Sequence, residues 1–264
     1  MPELAEVKWY SGQWAPGLGH RVIGVFCREQ SRIYRTADPA SVRRGLKGCR
    51  LGGIQTKGKQ MLFVFERCSL GLHLGMTGQL LVETPDHNPG RHDHLVIRQK
   101  ERSLVFRDPR MFGSLKFSRS VEPVWWRSLP PEILSPAFTL SLLRGRLQRS
   151  KLSALKAALL RQDLFPGVGN WMADEIVWRC RIRPDTKIGN LKDNDFNILW
   201  RETIEVCRAA LKTIGTHGKQ PPRAWLFHSR WADGGRCPRD GTLLLRAQVG
   251  GRTTAWCPRC QPIR

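Results

Sequence analysis

The first residues able to do chemistry stand at the start of the chain, Met1-Pro2-Glu3-Leu4-Ala5-Glu6-Val7. Removal of Met1 leaves Pro2 with a free secondary amine and Glu3 beside it. An α-amino group titrates near 7.7–8.0 against about 10.4 for lysine, so roughly a tenth of it is neutral at pH 7. A neutral amine attacks an electron-poor carbon. When that carbon is a sugar C1′, loss of the base leaves an iminium that labilises the neighbouring C–O bonds. Such a terminus can cut both a base and a backbone. Proline also follows initiator methionine in many chains for no catalytic reason, so the assignment depends on the rest of the sequence.

A second cluster lies in the tail. Cys237-Pro238-Arg239-Asp240 is followed, sixteen residues on, by Cys257-Pro258-Arg259-Cys260. Two such knuckles across a hairpin have the spacing of a zinc ribbon, whose tetrahedron needs four ligands. Here Asp240 holds the second position, and a carboxylate oxygen binds zinc at a similar distance, so Cys237, Asp240, Cys257 and Cys260 form a reasonable site. The alternative is a ribbon that folds without metal. The same stretch carries Arg239, Arg246, Arg252, Arg259 and Arg264, suited to phosphate contact or to an ordinary solvated basic face. The other five cysteines, at 27, 49, 68, 180 and 207, are scattered and mostly within apolar runs, as reduced core thiols of an intracellular protein would be.

Three further groups have both a functional and a structural reading. Gly167-Val168-Gly169-Asn170 opens an expected helix, and its backbone N–H groups offer an anion site; Asn170 adds a donor to the same phosphate or simply caps the helix. His73-Leu74-Gly75-Met76-Thr77-Gly78 and Asp108-Pro109-Arg110-Met111-Phe112-Gly113 fall at strand ends. Met76 and Phe112 are core residues there, or wedges that fill the gap left by an extruded base while Arg110 bonds its orphaned partner. Lys59 reaches a phosphate or snorkels at the surface.

These groups need elements to hold them. With 44 Lys and Arg against 22 Asp and Glu, a net charge of +22 and a pI near 10.7, the 264-residue chain has the electrostatics of a polyanion binder, nucleic acid first among them. It shows no run of eighteen apolar residues, no basic amphipathic helix that stands out and no apolar leader in its first twenty residues, as expected of a chain that is neither membrane-spanning nor obviously secreted. A short helix is expected from Glu3 to about Trp14, then apolar runs at 21–26, 60–65, 71–74, 78–82, 94–97, 103–106 and 113–117, with a helix at 39–46. That pattern reads as a β-sandwich or barrel. Past a Pro-marked linker, helices are expected at 138–147, 153–160, 171–180 and 193–214, then a Gly/Pro-rich loop at 215–222 that looks mobile, and a hairpin with strands 243–247 and 252–256.

In order along the chain, PELAEV, GKQMLFVF, HLGMTG, the HDH of His92 to His94, DPRMFG, PGVGN and GGRTTAWCPRCQ resemble the formamidopyrimidine-DNA glycosylase/endonuclease VIII family, nearest its formamidopyrimidine branch. The resemblance spans essentially the whole chain. It implies an α+β protein of two domains, with an N-terminal helix and β-sandwich (1–120), a linker (121–137), a helix-two-turn-helix domain (138–232) and a zinc-ribbon-like hairpin (233–264). It also implies base excision by Pro2 followed by β- and δ-elimination on duplex DNA held in the cleft between the domains. Carried over, Pro2 resembles the Schiff-base nucleophile, Glu3 the acid/base, Lys59 the lysine that holds phosphate and lesion, and Glu6 a second acidic position. His92, Asn170 and Arg252 match DNA-contact positions, and Met76, Arg110 and Phe112 match the void-filling trio of the oxidised-purine (8-oxoguanine) branch. One structural zinc, a monomeric state and an intracellular location, cytoplasmic and nucleoid-associated in a bacterium, go with the resemblance. Alternatives are a preference for oxidised pyrimidines or abasic sites, or a non-catalytic binder of damaged DNA. The chain departs from the family at Ala5, where a second proline is usual, at Asp240, and over 218–231, which looks more like plant and fungal relatives.

Overall fold

The computed structural model describes residues 1–263, so the expectation for Arg264 lies outside them. The chain divides into two compact units: Met1–Pro2 with Glu6–Leu129, and Glu3–Ala5 with Pro130 onward.

The first unit opens on α1 (Leu4–Gly12), whose later part carries Val7 into that unit's core. Two antiparallel four-stranded sheets follow. One has the order β1 (Gly24–Cys27), β6 (Asp93–Arg98), β7 (Ser103–Arg107), β5 (Gln79–Glu83). The other runs β2 (Leu51–Lys57), β3 (Gln60–Phe65), β4 (Ser69–His73), β8 (Ser114–Ser118). Both contribute to one apolar core, with Phe63, Phe65 and Leu70 from one sheet and Leu80, Leu95 and Phe106 from the other. Helix α2 (Pro39–Leu46) forms where expected, because Asp38 accepts from the backbone N–H of Ala40 and Ser41 and Pro39 presets the first turn.

The sequence reading lacks β2. Its sequence, LGGIQTK, has little strand propensity, and pairing with β3 makes it a strand, with a bulge at the glycines. The expected linker likewise contains a short helix, α3 (Val124–Arg127), whose Trp126 is buried.

The second unit contains α4 (Leu140–Leu147), α5 (Leu155–Leu159), α6 (Asn170–Arg179) and α7 (Asp193–Ala210), the last running on into a π turn over Leu211–Gly215. Thr139 caps α4 through its hydroxyl, and Asp195 accepts from the Lys192 N–H at the start of α7. Leu4 and Ala5 belong to this unit's core together with Phe165, Met172 and Leu199. The tail is a two-stranded hairpin, β9 (Leu245–Val249) and β10 (Arg252–Trp256). Its turn is Gly250-Gly251, both at positive φ (60° and 70°), the two-residue geometry that matches strand twist and that only glycine adopts without strain.

Candidate active site and nucleic-acid interface

Pro2 lines a pocket of about 360 Å³ in the first unit with Tyr10, Met76, Thr77 and Pro109. Two turns build its wall. In the first, Gly75 stands at positive φ and the Gly78 N–H donates to the Leu74 carbonyl. The second runs from Asp108 to Gly113, with Met111 itself at φ 53°. Asp108, fully buried, joins them: one carboxylate oxygen accepts from the Thr77 hydroxyl at 2.6 Å and the Arg110 N–H at 3.3 Å, the other from the Gly113 N–H at 2.8 Å. A non-glycine residue at positive φ is uncommon and costs of order 1 kcal/mol, a strain found where surroundings over-determine the backbone.

The turns present their apolar side chains outward. Met76 is 40 % exposed and Phe112 48 %, so neither is a core residue. The Arg110 guanidinium lies over the Phe112 ring at 4.7 Å, which holds an aromatic edge and a fork of donors together at one tip. His92 is half-buried at the foot of β6, and its carbonyl accepts the Asp108 N–H.

Lys59 follows Gly58, at φ 57°, in the β2–β3 turn, and is 6 % exposed, so it is not a snorkelling surface lysine. Its charge reaches His73, whose imidazole is held near 4 first by burial and then by the Lys59 and Arg35 cations. His73 is therefore neutral at physiological pH, and its Nδ1 accepts the Gly75 N–H at 3.1 Å.

In the second unit, Glu3 is buried with its carboxylate at the start of α6. One oxygen accepts from the Trp171 N–H at 2.9 Å, the other from Gly169 at 2.8 Å and Met172 at 3.1 Å. The Leu4 N–H donates to the Gly167 carbonyl. The anion site expected at this helix N-terminus thus exists, but the protein's own Glu3 fills it, so these N–H groups are not available to a phosphate. Gly169 is glycine for the same reason: a Cβ there would overlap the Glu3 carboxylate.

Asn170 does not cap α6. Gly169 is the N-cap residue, and the Asn170 amide donates instead to the Thr253 carbonyl of β10 at 3.0 Å. Arg252, at the start of that strand, is exposed, and Glu6 is half-buried in the first turn of α1.

The tail's four ligand candidates converge. Donor atoms of Cys237, Asp240, Cys257 and Cys260 lie within 4.8 Å of one another. The Cys237 and Cys260 sulfurs are 3.8 Å apart, and the Asp240 oxygens sit 3.7 Å from Cys257 Sγ and 3.4 Å from Cys260 Sγ. A tetrahedron with metal–sulfur bonds of about 2.3 Å and metal–oxygen bonds of about 2.0–2.2 Å has edges of roughly 3.8 and 3.5 Å, so the donor set fits a zinc-sized ion. The Trp178 indole N–H donates to Cys237 Sγ at 3.4 Å and the Cys260 N–H to Cys257 Sγ at 3.3 Å, the outer hydrogen bonds that orient thiolate ligands.

Several residues escaped the sequence reading. Asp108 lies inside a motif singled out for its neighbours, and Lys156 and Asp174 are buried charges in the apolar runs LSALKAALL and WMADEIVW. A charge inside such a run was the available signal, since buried charges need partners.

Comparison with known proteins agrees over nearly the whole length. Residues 1–115 match the formamidopyrimidine-DNA glycosylase N-terminal domain, and residues 129–220 the formamidopyrimidine-DNA glycosylase H2TH domain. The formamidopyrimidine-DNA glycosylase of Thermomicrobium roseum is 33 % identical over 100 % of both chains, and that of Xanthomonas campestris pv. campestris 34 % identical over 99 % of this chain and all of the relative. Among solved structures, the Lactococcus lactis enzyme bound to DNA containing an abasic site superposes with a TM-score of 0.86 at 27 % identity, covering 99 % of this chain and 100 % of that one. The same enzyme with DNA containing a formamidopyrimidine lesion gives 0.87 at 27 % identity and the same coverage. By sequence and by fold alike, the chain belongs to the formamidopyrimidine-DNA glycosylase family of DNA repair enzymes, in its formamidopyrimidine branch.

Proposed function

We propose that the protein excises oxidised purines (8-oxoguanine and formamidopyrimidines) from duplex DNA and then cleaves the strand as an abasic-site lyase, with Pro2 as nucleophile. The observation that carries this reading is the setting of the terminus. Pro2 lies in a pocket walled by the Met76 turn, and the next residue, Glu3, has its carboxylate fixed by three backbone donors. After Met1 is removed, the neutral Pro2 nitrogen attacks C1′ of an extruded nucleotide; the C1′–N bond breaks and the base departs with a proton. Loss of the amine proton and opening of the sugar ring give an iminium, whose C2′ proton becomes acidic. Its removal expels the 3′ phosphate, and a second elimination expels the 5′ phosphate. Glu3, adjacent in the chain, is the group that protonates the sugar oxygen and moves these protons.

DNA contacts are assigned residue by residue from the family resemblance. Lys59, His92, Asn170 and Arg252 contact phosphates and lesion, and Glu6 takes the second acidic position of the first helix; Met76, Arg110 and Phe112 fill the gap in the stack. The preference for purines rests on the resemblance of that trio, two of whose side chains are exposed and two stacked, to the pattern of the oxidised-purine branch. Cys237, Asp240, Cys257 and Cys260 would hold one structural zinc, which stiffens the ribbon when bound.

Borohydride reduction with 8-oxoguanine duplex should fix the mature protein to DNA covalently, and Pro2→Gly should abolish the adduct. No adduct from a protein shown by mass to lack Met1 sinks the nucleophile assignment. A panel of 8-oxoguanine, thymine-glycol and abasic duplexes ranks the substrates, with equal turnover of the first two counting against the purine preference. Elemental analysis of the same sample should find about one zinc per chain; a value near zero refutes ligation by Asp240 and leaves the chemistry untouched.

A further inference from the structure

Helix α6 and strand β10 meet through a polar cluster centred on Asp174 and Lys156, two buried charges to which the proposed function gives no role. In β10, residues 252, 254 and 256 face their partners in β9, so the backbone groups of Thr253 and Ala255 point along the hairpin's outer edge. An unpaired edge is costly when covered, and here the Thr253 carbonyl and the Ala255 N–H both find partners. The Thr253 carbonyl accepts from the Asn170 amide at 3.0 Å and from Lys156 Nζ at 3.3 Å. The Ala255 N–H donates to Asp174 at 3.3 Å. Asp174 also takes two hydrogen bonds from Arg230, at 2.9 and 2.5 Å, and an ion pair from Lys156.

Asp174 and Lys156 are fully buried and Arg230 nearly so. Asn170 and Asp174 stand four residues apart, about 6 Å along one helix face, and Thr253 and Ala255 two residues apart, about 6.6 Å along a strand edge. The two spacings match, so the helix face reads the strand at one register only. A slip by one residue would turn both groups away.

We propose that Asp174 is the positioning residue of the phosphate-binding face, fixing β10 and its Arg252 against Asn170 whether or not the ribbon holds metal. The proposal rests on the DNA-binding reading above for its consequence, though not for its geometry. Two cations converge on one carboxylate, so neutralising Asp174 leaves Lys156 and Arg230 buried without their counter-charge and loosens the side chain that holds the strand edge. The metal ligands Asp240 and Cys257 lie outside this contact, at the far end of the hairpin from Arg252.

Hydrogen exchange of peptides covering 252–256, measured with zinc added and with zinc chelated, tests the geometry without DNA. Protection should survive chelation in the wild type and fall at least tenfold in Asp174→Asn under both conditions. Binding to a duplex carrying a tetrahydrofuran abasic analogue reads the consequence. Chelation should change Kd less than about threefold, whereas Asp174→Asn should raise it at least tenfold and lower the salt slope by about 0.9, one phosphate contact. On a cleavable abasic duplex the variant should raise KM and alter kcat much less, a split that a smaller folded fraction does not produce.

If Asp174→Asn does not fold, Arg230→Lys, which keeps the charge and loses a hydrogen bond, should show the same pattern with a smaller shift of about threefold. Loss of strand protection on chelation as large as in the variants, or an unchanged salt slope in a folded variant, overturns the proposal. A wild type that binds no abasic duplex while 252–256 behaves as expected would instead count against the DNA-binding reading alone.

Discussion

Glu3 and Gly169 form one device at the residue scale. The carboxylate takes three N–H donors at the start of α6, and it fits because position 169 has no side chain. Gly169→Ala should therefore displace Glu3 with little harm to either hydrophobic core. Single-turnover excision is expected to fall at least tenfold, at a stability cost of about 1–3 kcal/mol by thermal melt. Full activity in a folded Gly169→Ala protein would show that the position of the Glu3 carboxylate does not matter. The acidic neighbour of Pro2 is visible in the sequence, but its binding partner lies 166 residues away and no local pattern joins them.

At the scale of elements, the two turns after β4 and β7 depend on a single carboxylate. Asp108→Ala strands the Thr77 hydroxyl and the Gly113 N–H in a buried setting, a loss of about 2–4 kcal/mol, and releases the backbone that holds Met111 at positive φ. Because Met76 and Phe112 ride on these turns, that variant should lose discrimination between lesion-containing and intact duplex in a binding titration, beyond its loss of stability. Equal discrimination in the folded variant would detach the wedge assignment from the turn geometry. The strands carrying the turns were legible from apolar runs and turn residues, and α2 from its Asp38-Pro39 start. Strand β2 was not legible, since two of its first three residues are glycine and only its partner makes it a strand.

For the whole molecule, charge sets the response to pH. His73 titrates near 4 when folded, through burial and the Lys59 and Arg35 cations, against about 6.5 in an unfolded chain. Between those values the unfolded chain binds a proton that the folded protein does not, so stability falls on acidification from pH 6.5 towards 4, by roughly 2–3 kcal/mol from this group. Burial lowers His94 in the same direction, while burial of Glu175 raises its carboxyl and acts oppositely. Asp93 extends the acid limb: burial pushes it up, but hydrogen bonds from Arg107, His87 and Gly90 outweigh that and hold it at about 2. Its contribution is present above about 3.8 and is lost as pH falls towards 2. Denaturant melts from pH 7 to 4 should show the first decline, and His73→Asn, which keeps an acceptor for the Gly75 N–H, should flatten it. An unchanged slope would remove His73 as its source. No described helix is long and apolar enough to cross a membrane.

Residue order alone determined the broad outline: a polycationic chain, a Pro-Glu terminus, four ligand candidates at ribbon spacing, and alternating runs that make two sheets and then helices. Those features are local, set by spacing, turn chemistry and net charge. Tertiary structure decided which polar groups meet. It put Glu3, where a phosphate was expected, at the α6 terminus, turned Asn170 from a helix cap to a strand partner, exposed Met76 and Phe112, and buried Lys156 against Asp174. Such pairings join residues far apart in the chain, and a buried charge selects its partner by proximity in the folded core, which spacing along the sequence does not encode.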